Sequence, residues 1–594
     1  MSKRLSNPDL AELLRDVAAS YKLKNEAQNR FRIVAYEKAA DAIEHATSDA
    51  YDLWEEDKLD DIPGLGESMI SSISELFKEG KSEHFEKIMD GIPKSVFVLM
   101  KVPKIGPKTA FALVKEFKID KNPIETLIEI AERGKIRNLE GFGEKSESDI
   151  LRSLKEYKTK APKRHLMSEA FDISQSLVDW MRQNKETKSV EGLGSLRRRV
   201  STIGDIDIAV ATNDSVITLS HFCEFPKAVR VIEKGDISAS ILLPGNIQAD
   251  CMALKPQAFG SLLQHFTGSK HHNVALREYS LKKGLSLSEK GIKDIKTGKM
   301  HEFDSEEKFY KYLGLSFIPP ELREDAGEIE KALNGDLPKL VELKDIKGDL
   351  HMHSDFDVET SHDLGVDSMK DMIESANKLN YEYISFSEHN PSQSKHTKDQ
   401  INIILKRKRE FIDQLNTSLV KSVKGSVKKV FNSLEIDIKP DGSLPIDEKG
   451  LNYLDFALVS VHSSFELNKF KMTQRILKAF ENPKVKVFAH PTARLLDKRN
   501  SIDLDWQKIF QACIDRNIYL EINADPHRLD LPDLLVRDAI RAGVKLTLGT
   551  DSHQKEGFLN MKYGVFVARR GWAKREDIIN TYSLGDFENL MGVV

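Results

Sequence analysis

GLGSLRRRVSTIGDIDIAVAT (192–212) reads as a tight turn, a cluster of arginines and a strand. The run IDIAVA is β-branched enough to be a buried strand. Asp205 and Asp207 alternate with Ile206 and Ile208, so at a period of two both carboxylates share one face and both isoleucines the other. Neighbouring carboxylates repel unless a cation sits between them, and an all-oxygen pair suits Mg²⁺. Upstream, Gly194-Ser195 with Arg197, Arg198 and Arg199 can hold a polyphosphate, since glycine permits close approach and arginine donates forked hydrogen bonds. A third carboxylate, Asp250, interrupts the apolar strand NIQADCMAL (246–254). Isolated and buried it would be costly; beside the other two it completes a two-metal centre for in-line phosphoryl transfer. A lone DxD is more often a pair of turn-forming aspartates. The Gly-Ser turn, the arginines and Gly204-Asp205 make the chemical reading the more specific one.

Downstream the pattern changes. Apolar runs end in metal-ligand residue types at GDLHMHS (348–354), YISFSEH (383–389), VFNSLEID (430–437), FALVSVHS (456–463), VKVFAHP (485–491), IYLEINAD (518–525) and KLTLGTDSH (545–553). Helical segments such as DSMKDMIESANKL fall between many of them. Strands and helices alternating, with polar residues at the strand ends, predict a (β/α) barrel with its site at one mouth. The ligand types are His351, His353, His389, Glu435, His462, His490, Asp551 and His553. Imidazole with carboxylate suits Mn²⁺ or Zn²⁺. Eight groups exceed the needs of one ion, so two or three ions are expected, able to hold phosphate oxygens and generate hydroxide. One such histidine alone would be read as a satisfied core residue; repetition at strand ends argues otherwise.

Residues 1–160 read as helices with polar breaks. Three breaks resemble one another: IPGLGESMISSI (62–73), VPKIGPKTAFAL (102–113) and LEGFGEKSESDI (139–150). Each joins an apolar residue, a turn ending in glycine and a new amphipathic helix. Gly64, Gly66, Gly106, Gly141 and Gly143 allow close approach, and the helix N-termini offer N–H groups to a phosphate backbone. A single such turn is as readily an ordinary helix corner. Arg30 and Arg32 in the amphipathic NRFRIVAYEKAADAI (29–43) fit a DNA face or a solvated one.

The chain as a whole has 594 residues, 40% hydrophobic and 31% charged, which suggests about four domains of globular type. No membrane-span or secretory pattern is visible, and three scattered cysteines make no disulfide framework, so a cytoplasmic setting is expected. Net charge is −4, so any nucleic-acid face must be locally basic. Nine of the 17 histidines lie between His351 and His553, where the ligand pattern is.

GSLRRRVSTIGDIDIAV resembles the palm signature of family X DNA polymerases, and FGSLLQHFTGSKHHNVALRE (259–278) resembles their nucleotide-binding segment. The three breaks resemble helix-hairpin-helix motifs. HMH, AHP and DSH mark the C-terminal region as similar to a PHP (polymerase and histidinol phosphatase) domain, the appendage of bacterial and archaeal family X enzymes. The resemblance implies a multidomain chain. Its parts are a helical DNA-binding domain (1–90), a second helix-hairpin-helix subdomain (91–160), an α+β nucleotidyltransferase palm (161–258), a nucleotide-binding segment (259–318), a linker (319–347) and a distorted (β/α)7, TIM-like PHP barrel (348–594). It implies gap-filling synthesis in base excision repair on gapped or nicked DNA with deoxynucleoside triphosphates. It also implies a 3′–5′ exonuclease, with abasic-site or 3′-phosphate removal as further possibilities. Asp205, Asp207 and Asp250 would hold two Mg²⁺, with Asp250 nearest the primer 3′-OH. Gly194, Ser195, Arg198 and Gly204 would surround the triphosphate. Phe266 and Gly268 would lie along the sugar, and Asn273 and Arg277 along the minor-groove side of the new pair.

Four departures stand out. His265 occupies a position where the family commonly has tyrosine, which touches sugar discrimination. Ser72 stands where animal relatives carry the Schiff-base lysine and Ser68 at a nearby lysine position; serine cannot form the imine of a deoxyribose-phosphate lyase, which leaves Lys78 or Lys81 as less efficient alternatives. SDFDVETSHDLG (354–365) replaces Ser-Asp-Gly, leaving Asp355, Asp357 and Asp363 as candidates with His362 beside the last and Gly365 at the family glycine. Glu388 replaces an aspartate. These departures leave two rival readings: a repair nuclease with one weak active site, and a DNA-binding scaffold with a degenerate barrel. The basic runs KRKRE (406–410) and VKSVKGSVKK (420–429) fit a solvated face or a track for a DNA strand.

Overall fold

The computed structural model describes every residue except 1–4, 6, 45–49, 56–58, 63, 160–163, 422–424, 497 and 594. The chain forms two compact units, Met1–Lys163 and Arg164–Val594.

The first unit is helical. Helix α1 (Asn7–Glu44) is two helical halves broken at Asn25. Its spacing of Leu10, Leu14, Val17, Tyr36, Ala40 and Ile43 makes one apolar stripe, which packs on Ile73 and Phe77 of α2 (Glu67–Glu79) and on Phe85. A second core gathers Val96, Leu99, Leu113 from α3 (Pro107–Phe117), Leu127, and Leu154 from α4 (Glu144–Thr159). The glycine turns lie between these helices. Gly64 and Gly141 are left-handed (φ 90° and 84°), a conformation that costs glycine little.

The second unit opens with a five-stranded sheet. Strands β1 (Thr187–Gly192), β2 (Ile206–Thr212), β3 (Arg230–Lys234), β4 (Ser238–Leu242) and β5 (Gln248–Leu254) lie in the order β1-β2-β5-β4-β3. The β2–β5 pair is parallel and the others antiparallel. Ile206 and Ile208 face inward with Val210, Ala249 and Cys251, against Leu177 and Met181 of α5 (Met167–Arg182). Helices α6 (Phe259–Thr267) and α7 (Lys270–Lys282) follow, then a three-stranded antiparallel sheet (Leu285–Ser288, Gly291–Asp294, Met300–His301) over a core of Leu276, Ile292, Phe309 and Tyr310.

Among the described residues the C-terminal region has eight parallel strands rather than the seven the sequence suggests. They are β6 (Gly348–Asp349), β7 (Tyr383–Phe386), β8 (Lys429–Asn432), β9 (Glu435–Asp437), β10 (Ala457–Ser460), β11 (Val485–Phe488), β12 (Tyr519–Asn523) and β13 (Leu546–Gly549). They form the sheets β6-β7-β8 and β9-β10-β11-β12-β13, linked by the parallel bridges His389↔Glu435 and Met352↔Ser552. The extra strand arises because VFNSLEID breaks at Ser433-Leu434. Lys408 of α8 (Lys398–Lys421) is fully buried at that break, donating to the Phe386 carbonyl at 2.9 Å and the Ser433 carbonyl at 2.5 Å and pairing with Glu388 at 2.5 Å. Arg407 donates to the Asp357 carbonyl, and Arg409 pairs with Asp413 and Asp455. These three cations of the KRKRE run therefore have partners within the fold, Arg407 at the surface and Lys408 buried, where the lysine closes a gap in the strand ladder. Of the second basic run, residues 422–424 lie outside the described residues.

Met167, Ala170, Leu196 and Ile203 join one hydrophobic cluster with Tyr563 and Val567 of α9 (Met561–Arg570). The sheet of 187–254 and the C-terminal region are therefore packed together through a common core. No helix among the described residues is long and apolar enough to cross a membrane.

Candidate active sites

The first site is built by register. Parallel pairing of β2 with β5 sets Asp207 directly beside Asp250, and Ser240 on β4 sits across from Asp250. Asp205, one residue ahead of β2, joins them. One carboxylate oxygen from each of the three lies within 4.8 Å of the others. The Ser240 hydroxyl donates to Asp250, and Gln248 Nε2 donates to both its oxygens at 3.0 Å. Burial, then the charges of Asp205 and Asp250, push Asp207 up to about 7 from its usual 3.8. Burial and Asp250 also raise Asp205. Three converging oxygens that repel one another are a donor set a hard divalent cation fits.

Gly194 lies in the left-handed region (φ 59°), and a Cβ there would collide with the Asp207 carboxylate. Its bareness makes room for the acid, a different use from close approach to phosphate. Gly194 opens a single helical turn through Arg197 that also carries Ser195, half-buried. Arg198 Nη1 donates to the Thr267 carbonyl at 2.6 Å, and a Cβ on Gly268 would sit 3.1 Å from that nitrogen. Arg198 and the α6–α7 junction therefore form one surface. The flanking arginines turn elsewhere. Arg197 binds Glu306 and the Thr267 hydroxyl, each at 2.6 Å, and Arg199 lies over Phe566 at 4.3 Å. Both depart from the polyphosphate reading of the triple-arginine run, because each already has an internal partner. Asn273 Nδ2 donates to the His265 carbonyl at 2.7 Å and Asn273 Oδ1 accepts from Gln264, while Arg277 and Gly204 are exposed. Phe266 is half-buried, its ring edge-on to His265 at 4.8 Å. Burial and Arg277 lower the His265 pKa, which favours a neutral ring.

The second site gathers the strand ends of the C-terminal region. Glu435, at the start of β9, is its hub. Its Oε1 lies 2.8 Å from His490 Nε2 and 3.3 Å from His462 Nε2, and its Oε2 lies 3.0 Å from His389 Nδ1 and 3.4 Å from His351 Nε2. Asp551 Oδ1 lies 3.2 Å from His353 Nε2 and 3.5 Å from His351 Nε2. Among the described residues four ligand groups result: His351, His353, Glu435 and Asp551; Glu435, His462 and His490; His353, His389 and His553; and His362, His389 and His462. Among the described residues, His351 Nε2, His353 Nε2 and Glu435 Oε2 are buried without a hydrogen-bond partner. Orphaned lone pairs aimed at one another fit a cluster of cations. Burial opposes charge on Glu435, but His389, His462 and His351 hold its carboxyl well below the ordinary range.

Sequence reasoning missed the residues that aim these ligands. Glu521 accepts from His351 Nδ1 at 2.7 Å and from the His490 amide at 2.7 Å; Asp437 accepts from His462 Nδ1 at 2.6 Å. Each fixes a tautomer with Nε2 turned inward. Both sit in the strand-end runs LEID and LEINAD, so carboxylates at strand ends were the available signal. Arg528 reaches Asp551 Oδ2 at 3.4 Å. In the divergent 354–365 stretch, Asp355, Asp357 and Asp363 are exposed and enter none of the ligand groups. His362 enters one with His389 and His462, its Nε2 2.8 Å from Asp437. Asp357 instead accepts from the Glu359 amide at 2.7 Å. Gly365 fits beside the HxH segment, where a Cβ would collide with the His353 carbonyl. Glu388 turns away from the cluster to Ser354 and Lys408.

In the first unit, Gly64, Gly66, Gly106, Gly141 and Gly143 are exposed, with open space where a Cβ would be. Gly66 and Gly106 precede α2 and α3 without a side-chain cap. The third turn differs: Arg137 binds Glu144 and Glu147 on α4, so its helix N-terminus is already acidic. Ser72 is buried and donates to the Ser68 carbonyl at 3.0 Å.

Residues 5–82 match the helix-hairpin-helix domain, 97–156 the SAM-like helix-hairpin-helix tandem, 262–324 the DNA polymerase beta thumb and 349–525 the PHP domain. The chain is 34% identical over 585 residues, 98% of each chain, to the DNA polymerase/3′-5′ exonuclease PolX of Bacillus subtilis (strain 168). It is 22% identical over 351 residues to DNA polymerase lambda of Rattus norvegicus, covering 54% of this chain and 56% of that one.

Proposed function

The chain belongs to the PolX family of DNA polymerase/3′-5′ exonucleases, and from that premise we infer how its two chemistries are divided between two cation centres. The enzyme is a family X DNA polymerase with a PHP-domain exonuclease. The observation that carries the division is the contrast in donors: Asp205, Asp207 and Asp250 offer oxygen alone, whereas the strand-end cluster offers imidazole and carboxylate. The first suits Mg²⁺ and the second Mn²⁺ or Zn²⁺. When bound, these ions would supply charge neutralisation at phosphate oxygens and lower the pKa of a primer hydroxyl or a water.

The residues would do the rest. Asp250, held by Ser240 and Gln248, orients toward the primer end. Arg198 and Ser195 take the triphosphate. Phe266 and Gly268 line the sugar, Asn273 and Arg277 the new pair. Glu435 would hold cations in the PHP cluster together with the histidines around it, Glu521 and Asp437 would aim those histidines, and Arg528 would hold the scissile phosphate. His362 takes the role that the exposed aspartates of 354–365 leave open. The domain partition in this reading is the one the sequence suggests, with 348–594 as a distorted barrel; the bridges that link its two parallel sheets support that reading.

The substrate is a short gap with a 3′ end to extend or trim. The first two hairpin turns, with uncapped helix starts and with exposed Lys104 in the second, support the grip on phosphate. Phe31, 91% exposed between Arg30 and Arg32, supports a DNA face on α1. Buried Ser72 argues against lyase chemistry at that position. On one gapped duplex, Asp205→Ala with Asp207→Ala should abolish insertion and spare 3′ trimming. His351→Ala with His353→Ala should do the reverse. Loss of both activities in either folded variant would refute separate centres.

A further inference from the structure

Arg198, the arginine assigned to the triphosphate, is held from the PHP region. Its Nε donates to Glu324 Oε1 at 2.9 Å. The same oxygen accepts from Arg570 Nη1, also at 2.9 Å, and that nitrogen reaches the Arg198 carbonyl at 2.8 Å. Arg570 Nε is anchored by Asp533 at 2.7 Å. Arg570 ends α9, in the PHP region, so a guanidinium of the nuclease half touches both the backbone and the counter-ion of the nucleotide arginine. The contact is well packed. Arg569 binds Glu321 at 2.8 Å, Arg199 lies over Phe566, and the two halves share a hydrophobic cluster. The Arg570 side chain is 10% exposed and that of Glu324 30%.

Resting on Arg198 as a triphosphate ligand, we propose that Arg570 is a positioning residue for nucleotide insertion: by sharing Glu324, it frees the charge of Arg198 for an incoming triphosphate without stranding a carboxylate. A triphosphate draws on the charge of Arg198. If Arg198 were the counter-ion of Glu324 with no help from Arg570, that draw would leave a partly buried carboxylate uncompensated, and nucleotide affinity would fall by the cost. With Arg570 in place, Glu324 keeps a charge-assisted bond whether or not Arg198 is engaged. Burial opposes ionisation of Glu324, yet Arg570 and Arg198 hold its carboxyl down to about 2, so it is charged across the neutral range. The nuclease half thereby sets the nucleotide affinity of the polymerase half.

The test uses the full chain on a single-nucleotide gap with Mg²⁺, reading KM and kcat for the nucleotide, with 3′ trimming measured on the same preparation. Arg570→Ala is expected to raise KM about tenfold, the scale of one lost charge-assisted hydrogen bond, with kcat and trimming held. Adding Glu324→Gln to Arg570→Ala should bring KM back toward wild type. A purely structural Arg570 would not be rescued by removing a charge from another residue. An unchanged KM in Arg570→Ala, or a rise that Glu324→Gln does not relieve, overturns the proposal. Should Arg570→Ala misfold, as lost trimming would reveal, Glu324→Gln alone decides: KM at or below wild type supports the proposal and a rise overturns it. Arg198→Ala separates the two layers. If it leaves KM unchanged, the triphosphate reading fails. If it raises KM while Arg570→Ala does not, the role of Arg570 alone fails.

Discussion

Gly194→Ala is the sharpest probe of how the palm site is assembled. At φ 59° an alanine pays the left-handed penalty, about 1–2 kcal/mol. The larger effect is local. The new methyl would collide with Asp207 Oδ2 and come within 3.3 Å of its Cγ, so the carboxylate must swing away from Asp205 and Asp250. A shift of about 1 Å in a reacting constellation costs about 10²-fold in rate. The expected result is a fall of about 10²-fold in kcat for single-nucleotide insertion, with KM changed less and 3′ trimming untouched. Gly192→Ala is the matched control, since its Cβ would meet only Ser174 Oγ at 3.2 Å and Leu196 Cδ2 at 3.6 Å, with no left-handed strain. Rapid-quench insertion on a gapped duplex reads the rate, and trimming on the same preparation checks the fold. A Gly194→Ala enzyme within about threefold of wild-type kcat, a change under about 0.7 kcal/mol, would refute the claim that this glycine exists to admit Asp207.

Three further outcomes are expected from the same contacts. Glu435→Gln replaces the carboxylate shared by two ligand groups with an amide, so it should lose bound transition metal by elemental analysis and lose trimming while insertion persists; full metal content would contradict Glu435 as a metal ligand. Lys408→Met strands Glu388 and two carbonyls, costing about 3–5 kcal/mol, and Lys408→Met with Glu388→Gln should recover much of that in thermal unfolding of the C-terminal region; no recovery would mean the ion pair is not the cause. Asp16 on α1 is held up at about 7 by burial and then by Glu12. Its contribution is therefore present below about pH 4 and is lost as pH rises toward 7, and Asp16→Asn should stabilise α1 by on the order of 1–2 kcal/mol at pH 8 but little at pH 4. Hydrogen exchange of the α1 amides reads this, and an equal gain at both pH values would refute it.

What the sequence made legible is what periodicity carries. Asp205 and Asp207 share a face because strands repeat every two residues, and the PHP histidines stand out because the same strand ending recurs. Long-range partners left no such trace. Glu324 lies 126 residues from Arg198, and Arg570 lies 372 residues away, with nothing local to mark either. Composition also misleads where burial reverses it. KRKRE has the look of a solvated or DNA-facing surface, yet Lys408 is fully buried. It sits there because a broken strand offers it two carbonyls and a carboxylate, and that break could not be read from the β-rich text of VFNSLEID. The 354–365 stretch failed for a related reason. Counting residues picks out aspartates, whereas the loop's path turns His362 inward and leaves Asp355, Asp357 and Asp363 in water.

Burial separates the two centres in a second way. Asp205 is exposed, and the three palm carboxylates carry mutual repulsion that burial sharpens at Asp207. Such a site would gain little by keeping a cation between turnovers and much by receiving one together with a triphosphate, whose oxygens would add ligands to those of Asp205, Asp207 and Asp250. His351, His353, Glu435 and His490 are at most 1% exposed, and Glu521 and Asp437 hold the rings of His351 and His462 with Nε2 inward. Opening that cluster means breaking the hydrogen bonds behind the ligands, so cations held there would exchange slowly. On the proposed assignment of ions, a chain that extends and trims the same 3′ end would keep its nuclease loaded while its polymerase answered to the supply of cation and nucleotide. The ligand chemistry that distinguishes the two pockets also sets when each is ready to act.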